Sequence, residues 1–433
     1  MNESSSLLLH QFQVVDSKSP WNGKTCDIWV ENGEIKGIAA GGELAHVAAE
    51  TRIEGNGACI SPGWMDLLAY LSDPGMEWKE SLEQFTRAAA MGGFTDVICY
   101  PGGAPAPDQA SAIDALQKRK PLGGINLWFA GEVSEAGKGK EMSNLFDMHL
   151  AGAQVFTDGI IHPVQDAGLI VRALQYLSAF GGRFFRYPVT QSLTGDGQMN
   201  EGVAATFLGF KGSPELAERV AGTRDLDLLE YAGGKIHFQP LTSPTLIQRI
   251  AAARKAGAQA TVAVSALHLS LDDTALETFD TRLKVLPPIR DRNMVEGLKA
   301  CIVRGEADAL CSMHQAQGPE EKEVEFGVAE PGMLNLHTAF SLSYKHLVAG
   351  GHISLERLTD LWTHGPRQVA GLPPLTLTEG AEARLTCFDP RSEWTFSPDF
   401  IRSRAKNTWF EGHTLPVKVL GVIAGKGFIY NGF

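Results

Sequence analysis

From about residue 59 to residue 375, short apolar runs alternate with stretches of helical periodicity. This alternation limits the fold more than any other feature of the chain. The runs read as buried strands over residues 95–100, 126–130, 154–157, 183–187, 235–239, 260–264 and 309–312. Amphipathic helices fit between them, for example from Trp78 to Met91, Pro163 to Phe180, Pro244 to Ala256 and Met294 to Val303. Strand then helix, repeated, implies parallel strands with crossover helices. Seven or eight such units in roughly 300 residues predict a closed (β/α)8 barrel, with an open doubly wound sheet as the alternative. No GxGxxG follows the first strand, so nothing supports a dinucleotide site.

Both ends of the chain are β-rich. Residues 27–38 form two short alternating segments around Asn32-Gly33, a strong hairpin signal. Residues 383–390 read as a strand, and residues 417–430 as two strands around a glycine-containing turn. The expectation is one small composite β domain, a β-sandwich built from 1–58 and 376–433, with the 59–375 barrel inserted between its halves. Hydrophobic residues make up 44% of the chain and charged residues 20%, enough to bury a sizeable core. A net charge of -12 argues against nonspecific nucleic-acid binding and against an anionic membrane surface. None of the six cysteines lies at CxxC spacing, which excludes a zinc knuckle and a thioredoxin motif and leaves reduced thiols. The first residues carry no basic n-region and no run is apolar enough to span a bilayer, so a cytoplasmic protein is expected.

The chemistry of a barrel sits at the C-terminal ends of its strands. From Ser61 the chain reads S-P-G-W-M-D-L-L-A-Y-L-S-D-P-G, a frame of Pro62, Gly63, Asp66, Asp73, Pro74 and Gly75. Further frames follow in order: Lys79-Glu80, residues 88–96, residues 153–159, Asn200-Glu201-Gly202, residues 284–290, Glu320-Glu321-Lys322 and Asn407-Thr408. Together they cover essentially the whole chain, which resembles the cyclic amidohydrolases, and dihydroorotases in particular. The resemblance implies a distorted (β/α)8 barrel of the metal-dependent hydrolase type. Members hold one or two divalent ions, usually zinc, with histidines and an aspartate.

The frames are kept, but the residues that the family uses for chemistry are not. The family's HxH pair falls on Leu68 and Tyr70. The histidine before its C-E-D falls on Tyr187, and that of its H-x-S region on Pro240. Its catalytic aspartate, the base that takes a proton from the attacking water, falls on Met313. Asp158 stands near the family's F-T-D-D-G, whose second acid has become Gly159. The positions that would hold the substrate's carboxylate and ring amides are Ser72, Gly102, Leu286 and Gln317. Zinc needs three or four His, Cys or carboxylate donors, so neither a metal nor a substrate site is expected. A pocket freed from catalysis is expected to relax toward a packed core.

The remaining polar candidates are weak. Asp158, His237 and His314 form the best residual constellation, and His268 sits at a strand end. Cys311 reads as a buried structural thiol. The run from Gly318 to Glu325 reads as a solvated loop, and the 21 Phe and 8 Trp residues look unclustered. The resemblance therefore implies a non-catalytic homologue of a pyrimidine-biosynthesis enzyme, acting as a structural or regulatory partner of aspartate carbamoyltransferase and as a homodimer. Two rival readings stay open. One is an active dihydroorotase that hydrolyses dihydroorotate to carbamoyl aspartate. The other is a metal-free hydrolase or sensor with a pocket rebuilt around Asp158 and His237.

Overall fold

The computed structural model describes residues 2–3, 6–119 and 121–430. Eight parallel strands follow one another in chain order: Trp64–Leu71, Phe94–Pro101, Asn126–Gly131, Val155–Phe156, Phe184–Arg186, Ile236–Phe238, Ala260–Ser265 and Ala309–Cys311. Closure comes from a parallel bridge between Ala69 and His314, where the Tyr70 N–H donates to the His314 carbonyl at 2.8 Å. The barrel is therefore closed, and the open-sheet alternative is set aside. Its first strand has all eight residues buried, as expected for a strand covered on both faces. Among the described residues no helix is long and apolar enough to cross a membrane.

Caps decide where the helices begin. The first crossover helix is Leu82–Met91 and starts after Ser81, not at Trp78. Ser81 and Gln84 form a reciprocal capping box that satisfies orphan N–H groups of the first turn. Asp166 likewise caps Ala167–Ser178, so this helix begins four residues after Pro163. Ser243 caps Pro244–Lys255 and Asp291 caps Arg292–Val303. The longest helix, Leu216–Ala232, lies outside the amphipathic set because its inner face buries Glu218 and Asp225. These carboxylates are paired: Asp225 accepts from Arg186 at 2.8 and 3.1 Å, and Glu218 from the Thr242 and Ser243 N–H groups at 2.8 Å.

Among the described residues, the two ends form one nine-stranded sheet. Thr25–Glu31 and Glu34–Ala40 make the expected hairpin, with Asn32 at φ 53° and Gly33 at φ 81° in the left-handed conformation such a turn requires. Cys59–Pro62 joins the halves, lying parallel to Gln13-Val14 and antiparallel to the 384–395 strand. That strand also pairs with Thr414–Ala424. The sheet and barrel share an aromatic cluster, in which Phe388 of the sheet meets Trp64 of the barrel with ring centroids 5.3 Å apart, so the aromatics are not scattered. Trp64 stacks on Phe340 with ring centroids 3.7 Å apart, and Phe94 meets Trp64 and Trp362 edge-on.

One buried charge ties the two parts together. Asp96 on the second barrel strand faces Arg384 of the sheet at 3.3 Å and Arg367 at 3.2 Å. Its carboxylate also accepts from Trp128 at 3.0 Å, Asn126 at 3.1 Å and Thr95 at 2.8 Å. Arg384 spends its other donors on the Thr95 and Gly124 carbonyls and on Glu382. Burial pushes the Asp96 carboxyl up, but the two guanidinium groups outweigh it and hold it below its ordinary value.

Candidate functional site

An apolar cluster packs the lumen beneath the mouth of the barrel. Leu68, Tyr70, Tyr187 and Met313 all belong to one buried cluster with Leu67, Tyr100, Phe185 and Cys311. Pro240 is buried as well. Met313 has a left-handed φ of 59°, which bends the backbone just after the eighth strand. The five positions do not fit zinc. Leu68 and Pro240 have no donor atom and Met313 offers only a thioether. The Tyr70 hydroxyl already accepts from the Ile160 N–H at 2.9 Å, and burial pushes both the Tyr70 and Tyr187 phenols up, away from the phenolate a metal would need.

Tyr70 and Gly159 are coupled. Gly159 has φ +73°, and a β-carbon there would stand 3.1 Å from the Tyr70 oxygen. A tyrosine at the second HxH position thus occupies space next to the family's second acid, and glycine makes room for it.

Below Tyr70 a polar chain crosses the lumen. Gln239 donates to the Tyr100 hydroxyl at 2.8 Å and to the Leu67 carbonyl at 2.9 Å. Its carbonyl oxygen faces His237 Nε2 at 3.0 Å, and His237 Nδ1 meets the Thr261 hydroxyl at 2.9 Å. Burial pushes His237 down to about 3, so the ring is neutral. Every ring nitrogen is used, which makes His237 a satisfied core histidine.

The other two residual candidates are equally occupied. His314 accepts from the Asn335 and Leu336 N–H groups on Nδ1 and donates from Nε2 to Glu80 at 3.0 Å, a carboxylate that Ser403 also holds. Asp158 accepts from the Ser134 N–H at 2.9 Å and from the Ser134 hydroxyl. Among the described residues, no hydrogen bond or ion pair joins any two of Asp158, His237 and His314. His268 Nε2 faces the Pro287 carbonyl at 3.1 Å. Cys311 is fully buried, and burial pushes its thiol well up.

Asp66, fully buried beneath the mouth, latches the first strand to the eighth. It accepts from the Ser312 N–H at 2.7 Å and hydroxyl at 2.5 Å. Burial pushes it up to about 6, against the pull of the Ser312 hydrogen bonds. The native state then holds a proton that the unfolded chain releases near pH 3.9. Stability from this group is present below about pH 4 and is lost as pH rises to about 6, by up to about 3 kcal/mol. Urea titrations at pH 4 and pH 7 check this: D66N should lose that part of the pH slope.

Two cavities open above this floor. One, of about 430 Å³, is lined by Tyr70, Ser72, Lys79, Gly102, Glu132, Asp158, Gln317, Glu321 and Glu330, among others. The second, of about 440 Å³, is lined by Tyr187, Leu286, Lys284 and Glu330. The positions onto which the resemblance places substrate contacts, Ser72, Gly102, Leu286 and Gln317, thus border open space. Of the five positions onto which the resemblance places ligands and base, the two tyrosines reach the cavities, while Leu68, Pro240 and Met313 line neither. Asp158 lines the first cavity and His237 neither, so a pocket rebuilt around that pair is not formed. The Gly318–Glu325 run is not simply solvated: Glu321 enters the cavity wall, and Lys322 is buried and donates to the Thr281 and Lys284 carbonyls at 2.9 and 3.1 Å. Sequence reasoning missed Glu132 and Glu321 as cavity residues, because neither belongs to a recognisable ligand spacing.

Comparison with known proteins agrees with this architecture. A family model described as Dihydro-orotase-like matches residues 57–243. A dihydroorotase of Pelotomaculum thermopropionicum is 33% identical over 389 residues, covering 90% of each chain. One of Syntrophotalea carbinolica is 34% identical over 406 residues, covering 94% of each. Among solved structures, an L-hydantoinase (dihydropyrimidinase) from Arthrobacter aurescens superimposes with a TM-score of 0.84 at 23% identity. It covers 97% of this chain and 96% of its own, a likeness of fold.

Proposed function

The chain belongs to the dihydroorotase-like family of amidohydrolases, and on that premise we propose that it is a non-catalytic member acting as a structural or regulatory partner of aspartate carbamoyltransferase. The observation that carries the non-catalytic part is the donor chemistry at the mouth: Leu68, Tyr70, Tyr187, Pro240 and Met313 stand packed where the family places its ligands and base. Restoring one ligand would not rebuild such a site, because at least three converging donors are needed. The frame itself supports the partner, by family analogy.

Metal analysis with a dihydroorotate hydrolysis assay tests the first part. The expected result is no stoichiometric zinc and no turnover above background; a zinc-loaded, hydrolysing protein would remove the proposal. Light scattering with the organism's own transcarbamoylase tests the second. The expected result is a stable mixed complex at micromolar concentration, and two separate peaks would count against it. The same run tests homodimerisation, which should give twice the 46.7 kDa chain mass.

A further inference from the structure

The cavity of about 430 Å³ has no role in the reading above, yet its wall is built in a way that inert packing does not explain. Glu132 directly follows the third barrel strand and is 8% exposed, and its Oε2 has no hydrogen-bond partner. Glu321, in the segment after the eighth strand, also has a buried Oε2 without a partner. With the first and second strands lying between the eighth and the third around the closed barrel, these two oxygens belong to different sides of the mouth. A buried carboxylate oxygen left unpaired is costly, and a protein keeps one where something else completes it.

We propose that this cavity binds a small organic dication, an alkyl diamine, with one ammonium on Glu132 and the other sharing Glu321 with Lys79. The local charge favours that class. Glu132, Asp158, Glu321 and Glu330 line the cavity against Lys79 and the exposed His162. The Lys79 ammonium is already held by Glu321 Oε1 at 3.0 Å and Gln317 at 2.7 Å, so it is not free to grip an anion. A single metal ion fits poorly, since among the described residues no three His, Cys, Asp or Glu side chains converge on one point. Asp158 does not compete for the ligand, because Ser134 occupies both of its oxygens.

The protonation of Glu132 adds a second signature. Burial, then the charges of Asp158 and Asp108, pushes its carboxyl up to about 8. At neutral pH the group carries a proton, and an ammonium that pairs with it must displace that proton. Lys79, Glu321, Glu330 and His162 are the other charged or titratable groups around the cavity. Uptake of the diamine therefore releases a proton. This inference rests on the cavity alone and stands whether or not the chain meets a carbamoyltransferase.

Isothermal titration of the full chain with 1,4-diaminobutane tests it, with 1,4-butanediol and dihydroorotate as comparison ligands. The expected result is saturable one-to-one binding with a Kd below about 1 mM and no binding of the diol. The heat should depend on the buffer's ionisation enthalpy, which reports the released proton. E132Q and E321Q should each weaken binding by about tenfold or more. Melting curves without ligand show that each variant folds, and should E132Q not fold, the more exposed E321Q carries the test. No saturation at about 10 mM diamine, far above the expected Kd, would overturn the inference. So would equal binding of the diol, or unchanged affinity in both variants. Binding of dihydroorotate with hydrolysis would sink the non-catalytic reading instead, so the two failures are told apart.

Discussion

Asp96→Ala is expected to lower the free energy of unfolding by about 3–5 kcal/mol, among the largest effects any single substitution should have here. Asp96 is fully buried between Arg384 and Arg367, which are themselves 4% and 5% exposed. Removing the carboxylate takes a buried counter-charge from both guanidinium groups, leaving Arg384 only Glu382 at 3.0 Å, and leaves donors on Trp128 and Asn126 without their acceptor. D96N keeps the shape but not the charge and should recover only a fraction of the loss. Acid should act in the same direction. The folded carboxyl sits below its ordinary value, so its stabilisation is fully present above about pH 4, the unfolded value, and is lost as pH falls through the folded one. Urea midpoints at pH 7 and pH 3 check both statements: D96A should be much weaker than the parent at pH 7, with a smaller gap at pH 3. An equal gap at both would show that the charge is not the cause.

The second large effect concerns the attempt to restore a family residue. Gly159→Asp puts back the second acid, and it should cost about 3 kcal/mol or more. Three costs add: a left-handed φ of +73° under a β-carbon, a contact of 3.1 Å with the Tyr70 oxygen, and a second carboxylate beside the largely occupied Asp158. Tyr70→Phe alone should cost about 1–3 kcal/mol, because it orphans the Ile160 N–H. Combined, the two should cost less than their sum by about 1 kcal/mol, since the phenylalanine leaves the new β-carbon its space. Thermal denaturation of the four proteins in the cycle gives the coupling. Strict additivity would mean that the tyrosine and the glycine changed independently.

Much of the architecture was legible in the sequence. Buried parallel strands read as short apolar runs, and Asn32-Gly33 marked its hairpin, because each depends on local chemistry. Helix starts were less legible where an apolar or proline residue preceded the true cap. Trp78 and Pro163 drew the boundary forward, whereas Ser81 and Asp166 supply the hydrogen bonds that begin the helix. The Leu216–Ala232 helix hid because Glu218 and Asp225 break its apolar stripe, and only the tertiary partners Arg186, Thr242 and Ser243 make those acids tolerable inside.

For the candidate site, the residues missing from the family pattern could be read directly, while what replaced them could not. Asp158, His237 and His314 looked like a cluster because all fall near strand ends. Each instead has its own partner: Ser134 for Asp158, Gln239 two residues along for His237, and Glu80, far away in the chain, for His314. Glu132 was invisible for the opposite reason. A carboxylate with no partner leaves no spacing to recognise, and only burial shows that it is there.

The antiparallel contact between Cys59–Pro62 and the strand beginning at Arg384 has a consequence for synthesis. On the ribosome the first segment emerges long before its neighbour, with the entire barrel still to be translated. Until then its hydrogen-bonding rim is bare, and it can recruit any other nascent strand. Messages that end early should therefore yield sticky polypeptides rather than shortened but well-behaved ones.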